Sequence, residues 1–277
     1  MSDADVAFLG IETTDTGAVL PVTKRLSTPF GFLYGGSGLA ACAVAAEAVA
    51  GRPLKWITTQ YVANAFPGED VRLDVEVVAQ GRATTQTHVR GCVGDRTILH
   101  ATTAHTDRPG GDRAWWGEPP AVSGPDQGDP FFISFDRPLE GTFVDEMERR
   151  IVPETDALRA SGRAAMWVRM AGWPIGSAAS QGFVADIVPM ALSLALGREN
   201  GATSLDNTMR VVISEPTDDW VLLDIESEGF HHSIGHGRVR VWRRDGALMG
   251  IGSQSAIVRT SHHDRTELRA ARGEDAS

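Results

Sequence analysis

The chain repeats itself at an offset of 150 residues, and this internal repeat limits the folds that it can adopt. A shift by 150 positions superimposes two stretches of alternating residues without a gap. The matched pairs are Val71 with Val221, Leu73 with Leu223, Asp74 with Asp224, Glu76 with Glu226, Val89 with Val239, Arg90 with Arg240 and Asp95 with Asp245. Such a repeat predicts two copies of one structural unit, each of which forms the same elements.

Each copy is predicted to contain an apolar helix followed by several strands. In the first copy, a glycine-rich approach at Gly35 and Gly36 leads to an alanine-rich helix over residues 39–49. Alternation of apolar and polar residues then predicts strands. The predicted strands span 54–66, 71–79, 84–93 and 97–106, after a weaker candidate at 18–26.

The second copy follows the same pattern. Its helix is expected over residues 186–196, and Pro189 places the helix start near Ala185 or Asp186, because proline is best tolerated in a first helical turn. Hairpin turns are predicted at Gly81-Arg82, Gly94-Asp95 and Asp245-Gly246. The predicted strands lie near 142–152, 164–170, 203–213, 220–227, 234–243 and 247–260.

Composition and charge indicate a folded, acidic protein. A chain of 277 residues with 42% hydrophobic residues can bury a large core. The net charge of −10 argues against a surface for nucleic acid or anionic membranes. The acidic N-terminus lacks the features of a signal peptide, and the longest apolar run, at 38–51, is too short for a membrane span. With Cys42 and Cys92 as its two cysteines the chain has no disulfide framework, and we expect a cytoplasmic protein.

A linker separates the two copies. Residues 108–130 are dense in Gly, Pro, Asp and Ser, and they divide a first unit at 1–107 from a second at 131–260. The charged tail at 261–277 is expected to be frayed. Trp115 and Trp116 lie in the linker, and since two adjacent tryptophans are costly to expose, we expect the linker to pack against the protein.

The apolar segment at 183–196 carries a single carboxylate, that of Asp186. An acid at the start of a buried helix is either a helix cap or a catalytic group. The repeat favours catalysis, because subtraction of 150 places Gly36 opposite Asp186 and Ala104 opposite Gln254. The first copy therefore lacks both the acid and the amide, and we expect one active site per chain.

Several short motifs occur in an order that resembles a known family. They are Tyr34-Gly35-Gly36 before the first helix, Gly81-Arg82 between strands, Ala185-Asp186 at the second helix, Thr203-Ser204-Leu205-Asp206 in the next strand, and Asp245-Gly246 before Ser253-Gln254-Ser255. Through these motifs the chain resembles the acyl-CoA thioesterase II family and the broader thioesterase-like double hotdog proteins. The resemblance covers nearly the whole chain. The resemblance implies an α+β double hotdog fold, in which each of two tandem units wraps a curved antiparallel sheet around a long helix. It further implies an acyl-CoA thioesterase that needs no cofactor and forms at least a homodimer.

In that family an Asp, a Thr or Ser hydroxyl and a Gln hold a water molecule for attack on the thioester. The matching residues are Asp186, Ser204 and Gln254, with Ser204 at a position where members often have Thr. In the first copy we align Thr58 with Ser204. A carboxylate can accept a proton from water while a hydroxyl and an amide orient that water, so these residue types suit the chemistry.

Three further residues are candidates for binding the substrate. The backbone N–H groups of Gly35 and Gly36, at a helix start, suit the negative charge that develops on the thioester oxygen. Asp206, two residues beyond Ser204, is expected to share its strand face. It is either a second acid or a residue that orients the Ser204 hydroxyl.

Two other hotdog functions are alternatives to the thioesterase. Hotdog enoyl-CoA hydratases pair an Asp with a His five residues later, where this chain has Ala191, and a non-catalytic acyl-binding protein would use the same tunnel as a thioesterase.

His231, His232 and His236 are spaced like metal ligands, but without a nearby acid or cysteine a hairpin at the sheet edge is the better interpretation. No metal is expected. A Ser-His-Asp hydrolase lacks support, since the chain has no Gly-x-Ser-x-Gly motif.

Overall fold

The structure is a computed structural model that describes residues 2–131, 139–197 and 202–258. In this part of the chain one antiparallel sheet of 13 strands packs against helices. The helices are α1 (Asp3–Leu9), α2 (Gly35–Ala50), α3 (Thr155–Arg159), α4 (Ala178–Ala185) and α5 (Val188–Ala195). The strands are β1 (Glu12–Thr14), β2 (Gly17–Pro21), β3 (Leu54–Tyr61), β4 (Asp70–Gln80), β5 (Thr84–Val93), β6 (Arg96–Thr106), β7 (Asp129–Pro130), β8 (Met147–Ile151), β9 (Arg163–Met170), β10 (Ala202–Val211), β11 (Val221–His231), β12 (Ile234–Arg243) and β13 (Leu248–Val258).

The sheet runs without a break through both copies of the repeat. Its strand order is β1-β2-β4-β5-β6-β3-β10-β13-β12-β11-β9-β8-β7, so β3 and β10 form the junction. There Thr58 pairs with Thr208, the residue 150 positions later, and their hydroxyl oxygens lie 2.8 Å apart. The register at this junction agrees with the repeat. Thr58 and Thr208 also have equivalent partners on the next strands, Thr102 on β6 and Ser253 on β13, so Thr208, rather than Ser204, is the counterpart of Thr58.

The offset between copies grows by one residue after the last hairpin. In the first copy Val93 pairs with Arg96, whereas in the second Arg243 donates its N–H to the carbonyl of Ala247. Beyond this turn Thr87 pairs with Thr103, as Gly237 pairs with Gln254. The counterpart of Gln254 is therefore Thr103, and the alignment with Ala104 is wrong by one position. The first copy still lacks an amide there.

Most predicted strands are present, and one matches β5 from end to end. The candidate at 18–26 ends at Pro21, because proline has no N–H for the ladder, and a 3-10 helix at Lys24–Leu26 follows. The segment at 142–152 starts as a 3-10 helix, Phe143–Glu146, before β8 begins. Residues 259–260 of the last predicted strand, and the tail at 261–277, lie outside the described residues.

The first long helix begins earlier than predicted. It starts at Gly35, with Tyr34 as the N-cap, so the glycine-rich segment forms its first turn. These glycines permit close packing, since a Cβ atom on Gly36 would lie 2.7 Å from the carbonyl oxygen of Phe183. The helix α2 thereby packs directly against α4.

The second long helix is a pair of short helices, and Asp186 does not lie at the start of the pair. The helix α4 begins at Ala178, where the Ser177 hydroxyl caps it by accepting from the N–H of Ser180. The segment Ala178–Ala195 is apolar and long enough to cross a membrane by length and composition, and thus exceeds the run at 38–51. Because 78% of it is buried inside the protein, it forms part of the core.

A short N-terminal helix that sequence patterns did not predict braces α4. Ser2 and Asp5 form a capping box at its start. The buried Asp5 carboxylate accepts hydrogen bonds from the Trp173 indole (2.9 Å) and the Ser177 hydroxyl (2.6 Å), and the Phe8 ring stacks on Trp173 at 3.9 Å. The helix α1 is therefore tied to the residue that caps α4.

The linker packs against the second copy through one of its two tryptophans. Trp115 contacts an apolar cluster that includes Trp167, Trp220 and Trp242, and the Trp167 indole donates to the carbonyl of Ser123 at 2.8 Å. Trp116 is 87% exposed. The expectation that the linker packs is thus right for Trp115 and wrong for Trp116.

Candidate active site

Asp186 lies at a break between α4 and α5. Its backbone closes α4 (φ −77°, ψ 60°), and Pro189 sits in the first turn of α5. In a continuous helix the Pro189 ring would clash with the carbonyl of Ala185, four residues earlier. That carbonyl instead accepts from the N–H of Ile187 at 2.8 Å. The proline therefore determines where the helix breaks and where the carboxylate points.

Two amide side chains from neighbouring strands hold the Asp186 carboxylate. Gln254 on β13 and Asn207 on β10 both donate to Oδ1, the latter at 3.2 Å. The Gln254 Oε1 atom accepts from the N–H of Val188 at 3.1 Å, which fixes the orientation of its amide. Asn207 and Gln254 are opposite each other in the strand pairing. The structure thus brings together the predicted acid and the predicted amide.

Burial changes the acidity of this carboxyl group. Asp186 is only 7% exposed. Desolvation raises its pKa to about 6, while hydrogen bonds from Gln254, the Gly36 backbone and Asn207 oppose that rise. The group is therefore ionised at neutral pH but lies close to its titration point, as suits a general base.

The first copy supplies the opposite wall of the site. The Tyr34 hydroxyl donates to the carbonyl oxygens of Asp186 (2.8 Å) and Phe183 (3.0 Å). The Tyr61 hydroxyl donates to the carbonyl of Gly35 at 2.8 Å. A Cβ atom on Gly35 would lie 2.6 Å from Asp186 Oδ2. The site is therefore built from both halves of the chain.

The two glycines named from the sequence differ in their backbone partners. The N–H of Gly36 hydrogen-bonds to Asp186 itself. Gly35 is the first residue of α2, so its N–H has no acceptor within the helix. Of the two N–H groups predicted to bind a substrate oxygen, that of Gly35 is therefore the one not bonded to Asp186.

Ser204 and Asp206 are placed differently from each other. A β-bulge between them pairs Ser204 with Ala256 and Asp206 with Ser255. Because adjacent residues of β13 point to opposite faces, the two side chains do not share a face, contrary to prediction. The Asp206 carboxylate accepts from the N–H of Ser255 at 2.8 Å. Ser204 is half-buried on the face of Gln254, and among the described residues no hydrogen bond joins it to Asp186.

Asn207 was missed by the sequence analysis. It is buried, at 1% exposure, and donates directly to Asp186. The repeat carried the signal, since the counterpart of Asn207 is Ile57, an apolar residue. A polar residue in one copy opposite an apolar residue in the other is the same kind of difference that singled out Asp186.

The histidines near residue 230 form a hairpin turn. The rings of His231 and His232 stack at 3.8 Å, and His236 Nδ1 lies 3.1 Å from the Ser255 hydroxyl. The hairpin joins β11 and β12, two strands inside the sheet, so it is not at the sheet edge. In the part of the chain that the structure describes, no cluster of three or more His, Cys, Asp or Glu residues could hold a metal ion.

The family of the chain follows from comparison with family models. A model of the acyl-CoA thioesterase C-terminal domain matches residues 99–258, and a model of the N-terminal domain of the same family matches residues 25–106. The chain therefore belongs to the acyl-CoA thioesterase family, and the protein is a thioesterase. No curated protein matches the chain at a significant level.

Solved structures agree with this family assignment. A candidate thioesterase from Novosphingobium aromaticivorans has 28% identity and a TM-score of 0.81, over 89% of this chain and 97% of that one. A hot dog fold protein from Alicyclobacillus acidocaldarius has 16% identity and a TM-score of 0.80, over 94% and 100%. The acyl-CoA thioesterase II TesB2 from Mycobacterium marinum has 17% identity and a TM-score of 0.74, over 94% and 99%. These likenesses fit a tandem hotdog arrangement.

Proposed function

We propose that the protein hydrolyses acyl-CoA thioesters to a free carboxylic acid and CoA, with a water molecule held by Asp186, Ser204 and Gln254. The observation that carries this proposal is a buried carboxylate with a pKa of about 6, held by two amide donors in a thioesterase fold. Such a group is an anion at neutral pH, and its pKa lies near the value at which a general base is most effective.

The reaction proceeds in two steps. The water oxygen attacks the thioester carbonyl carbon while the Asp186 carboxylate takes a proton from that water. The tetrahedral intermediate then collapses, the carbon–sulfur bond breaks, and the CoA sulfur receives the proton from Asp186. No acyl-enzyme forms, so Ser204 orients the water and is not a nucleophile.

The carbonyl oxygen of the thioester gains negative charge in the first step. The N–H of Gly35, at the start of α2, supports its assignment as the donor to this oxygen, because it has no acceptor within the helix and helix N-termini favour anions. Gln254 contributes by holding Asp186 in place, and the second hydrogen on its Nε2 is suited to the water. One site per chain follows, since the equivalent positions of the first copy carry Gly36 and Thr103.

We infer a double hotdog, with units at 1–107 and 131–260 joined by the linker at 108–130, in which a curved sheet wraps the long helix of each unit. We further propose a homodimer or larger homo-oligomer that acts in lipid metabolism in the cytoplasm. The low cysteine count and the acidic net charge of −10 support that location.

The test compares two carboxylates, that of Asp186 between α4 and α5 and that of Asp206 on β10. Asp186→Asn is expected to lower acyl-CoA turnover about 100-fold or more, because it removes the base. Asp206→Asn is expected to have a much smaller effect, since that carboxylate accepts from the Ser255 backbone. Thiol release and the unfolding midpoint would be measured for both variants. Full activity in a folded Asp186→Asn variant would refute the assignment, as would an acyl adduct trapped on Ser204.

A further inference from the structure

The Asp186 carboxylate has two inequivalent oxygens. Gln254 and Asn207 both donate to Oδ1, which uses the two lone pairs of that atom. The oxygen Oδ2 faces Gly35, where a Cβ atom would lie 2.6 Å away. Because Oδ1 already accepts from two amides, the N–H of Gly36 is left to bond Oδ2, whose second lone pair is the one placed to take a proton.

The orientation of Asn207 is fixed by a residue of the other copy. The Tyr61 hydroxyl donates its one proton to the carbonyl of Gly35 at 2.8 Å, and it also hydrogen-bonds to Asn207. It must therefore accept from the amide of Asn207. One Asn207 hydrogen points to Tyr61 and the other to Asp186 Oδ1, which leaves its amide a single orientation.

We propose that Asn207 and Tyr61 are a positioning pair, one residue from each half of the chain, that holds Asp186 with Oδ2 directed at the attacking water. The proposal rests on the hydrolytic function proposed above. It adds two residues to the site that contact the reacting atoms through Asp186. Their counterparts, Ile57 and Val211, cannot form the same bonds, so the pair exists in one copy of the repeat.

The surroundings of Asp186 allow the titration of its carboxyl group to be measured. The titratable side chains that face it are Tyr34 and Tyr61, with Cys42 beyond Tyr61 and Arg149 beyond Tyr34. Burial raises the pKa of both tyrosines and of Cys42 well above their ordinary values. Apart from Arg149, whose pKa burial lowers, Asp186 is therefore the group among these described neighbours that titrates between pH 4 and pH 9.

The experiment measures the titration of Asp186 in wild type, Asn207→Leu and Tyr61→Phe. Loss of a donor to the charged carboxylate disfavours ionisation, so the pKa should rise in both variants, more in Asn207→Leu. A rise of one unit lowers kcat/KM at pH 6 by about tenfold or less, and the loss shrinks towards pH 8. Gln60→Leu, an exposed neighbour of Tyr61, is the control and should leave the profile unchanged.

Two readouts separate this proposal from the function on which it rests. The carboxyl carbon of Asp186, followed by NMR and assigned with Asp186→Asn, reports the titration without any turnover. An inactive wild type whose Asp186 still titrates higher in Asn207→Leu would refute the hydrolysis and support the pair. An unshifted titration in both variants, or a loss of activity that is equal at pH 6 and pH 8, would overturn the pair. If Asn207→Leu does not fold, Tyr61→Phe decides, since it removes one hydroxyl from a half-buried side chain.

Discussion

Gly35 and Asp186 approach each other so closely that a Cβ atom on Gly35 would lie 2.6 Å from Oδ2 of the carboxylate. Gly35→Ala is therefore expected to lower acyl-CoA hydrolysis at least about tenfold, because its methyl group would clash with Oδ2 and displace the carboxylate. Gly38→Ala is the matched control in the same helix. Its Cβ would meet the flexible end of Leu99 at 3.0 Å and the Tyr61 ring at an ordinary contact distance of 3.7 Å. Equal kcat/KM values for the two variants would show that the close approach of Gly35 to Oδ2 has no role.

The pH dependence of hydrolysis should report Asp186. The reaction needs the ionised carboxylate, and its pKa is raised to about 6 by burial. We expect kcat/KM to rise tenfold per pH unit below about pH 6 and to level off above it. The measurement is a pH–rate profile with a substrate far below KM. A profile that stays level from pH 5 to pH 8 would contradict the role of Asp186 as base.

Removal of the Asp186 charge should stabilise the protein at neutral pH. The folded pKa, about 6, exceeds the unfolded value of about 3.9. The unfolded state releases its proton first as pH rises, so the free energy of unfolding falls between about pH 4 and pH 6 and stays low above that range. The penalty amounts to about 3 kcal/mol at most. Compared with wild type, Asp186→Asn should therefore have a larger free energy of unfolding at pH 8 than at pH 4, as measured by urea unfolding. A difference from wild type that is the same at both pH values would argue against a buried charge.

A buried histidine in the first copy should act on stability in the opposite direction. His105 Nε2 lies 2.6 Å from the Thr103 hydroxyl, and burial lowers the pKa of the ring. The unfolded state gains a proton below about pH 6.5 while the folded state resists it, so the free energy of unfolding falls as pH falls. His105→Gln should therefore lose less stability than wild type between pH 7.5 and pH 5. His88→Gln, on an exposed position of β5, is the control and should behave like wild type.

The sequence predicted the repeat, most strands and two members of the site, because these leave local or periodic signals. Alternation identified β5, and comparison of the two copies identified Asp186 and Gln254. Helix α4 was missed because its residues are buried on every side, from Ala178 to Ala185, so they show no helical periodicity.

Other features depend on tertiary contacts that a linear pattern does not contain. The bulge that separates Ser204 from Asp206 has no local marker, so spacing alone predicts one strand face for both residues. Asn207 became recognisable only when the strand pairing established the offset at β10. The sequence alone would place the acidic Asp5, near the N-terminus, at the surface. In the folded protein it is buried, because its carboxylate accepts hydrogen bonds from Trp173 and Ser177.

The position of Tyr34 explains why the second copy carries the acid and the first copy does not. A Cβ atom at Gly36, the counterpart of Asp186, would lie 2.5 Å from the Tyr34 ring, whose hydroxyl meanwhile donates to the carbonyl of Asp186. The ring thus fills the volume that an acidic side chain at residue 36 would need, and the same residue supports Asp186 through its hydroxyl. The two centres are mutually exclusive within one chain. The substitution Gly36→Asp would accordingly displace Tyr34 and disrupt the existing centre before it created a second one.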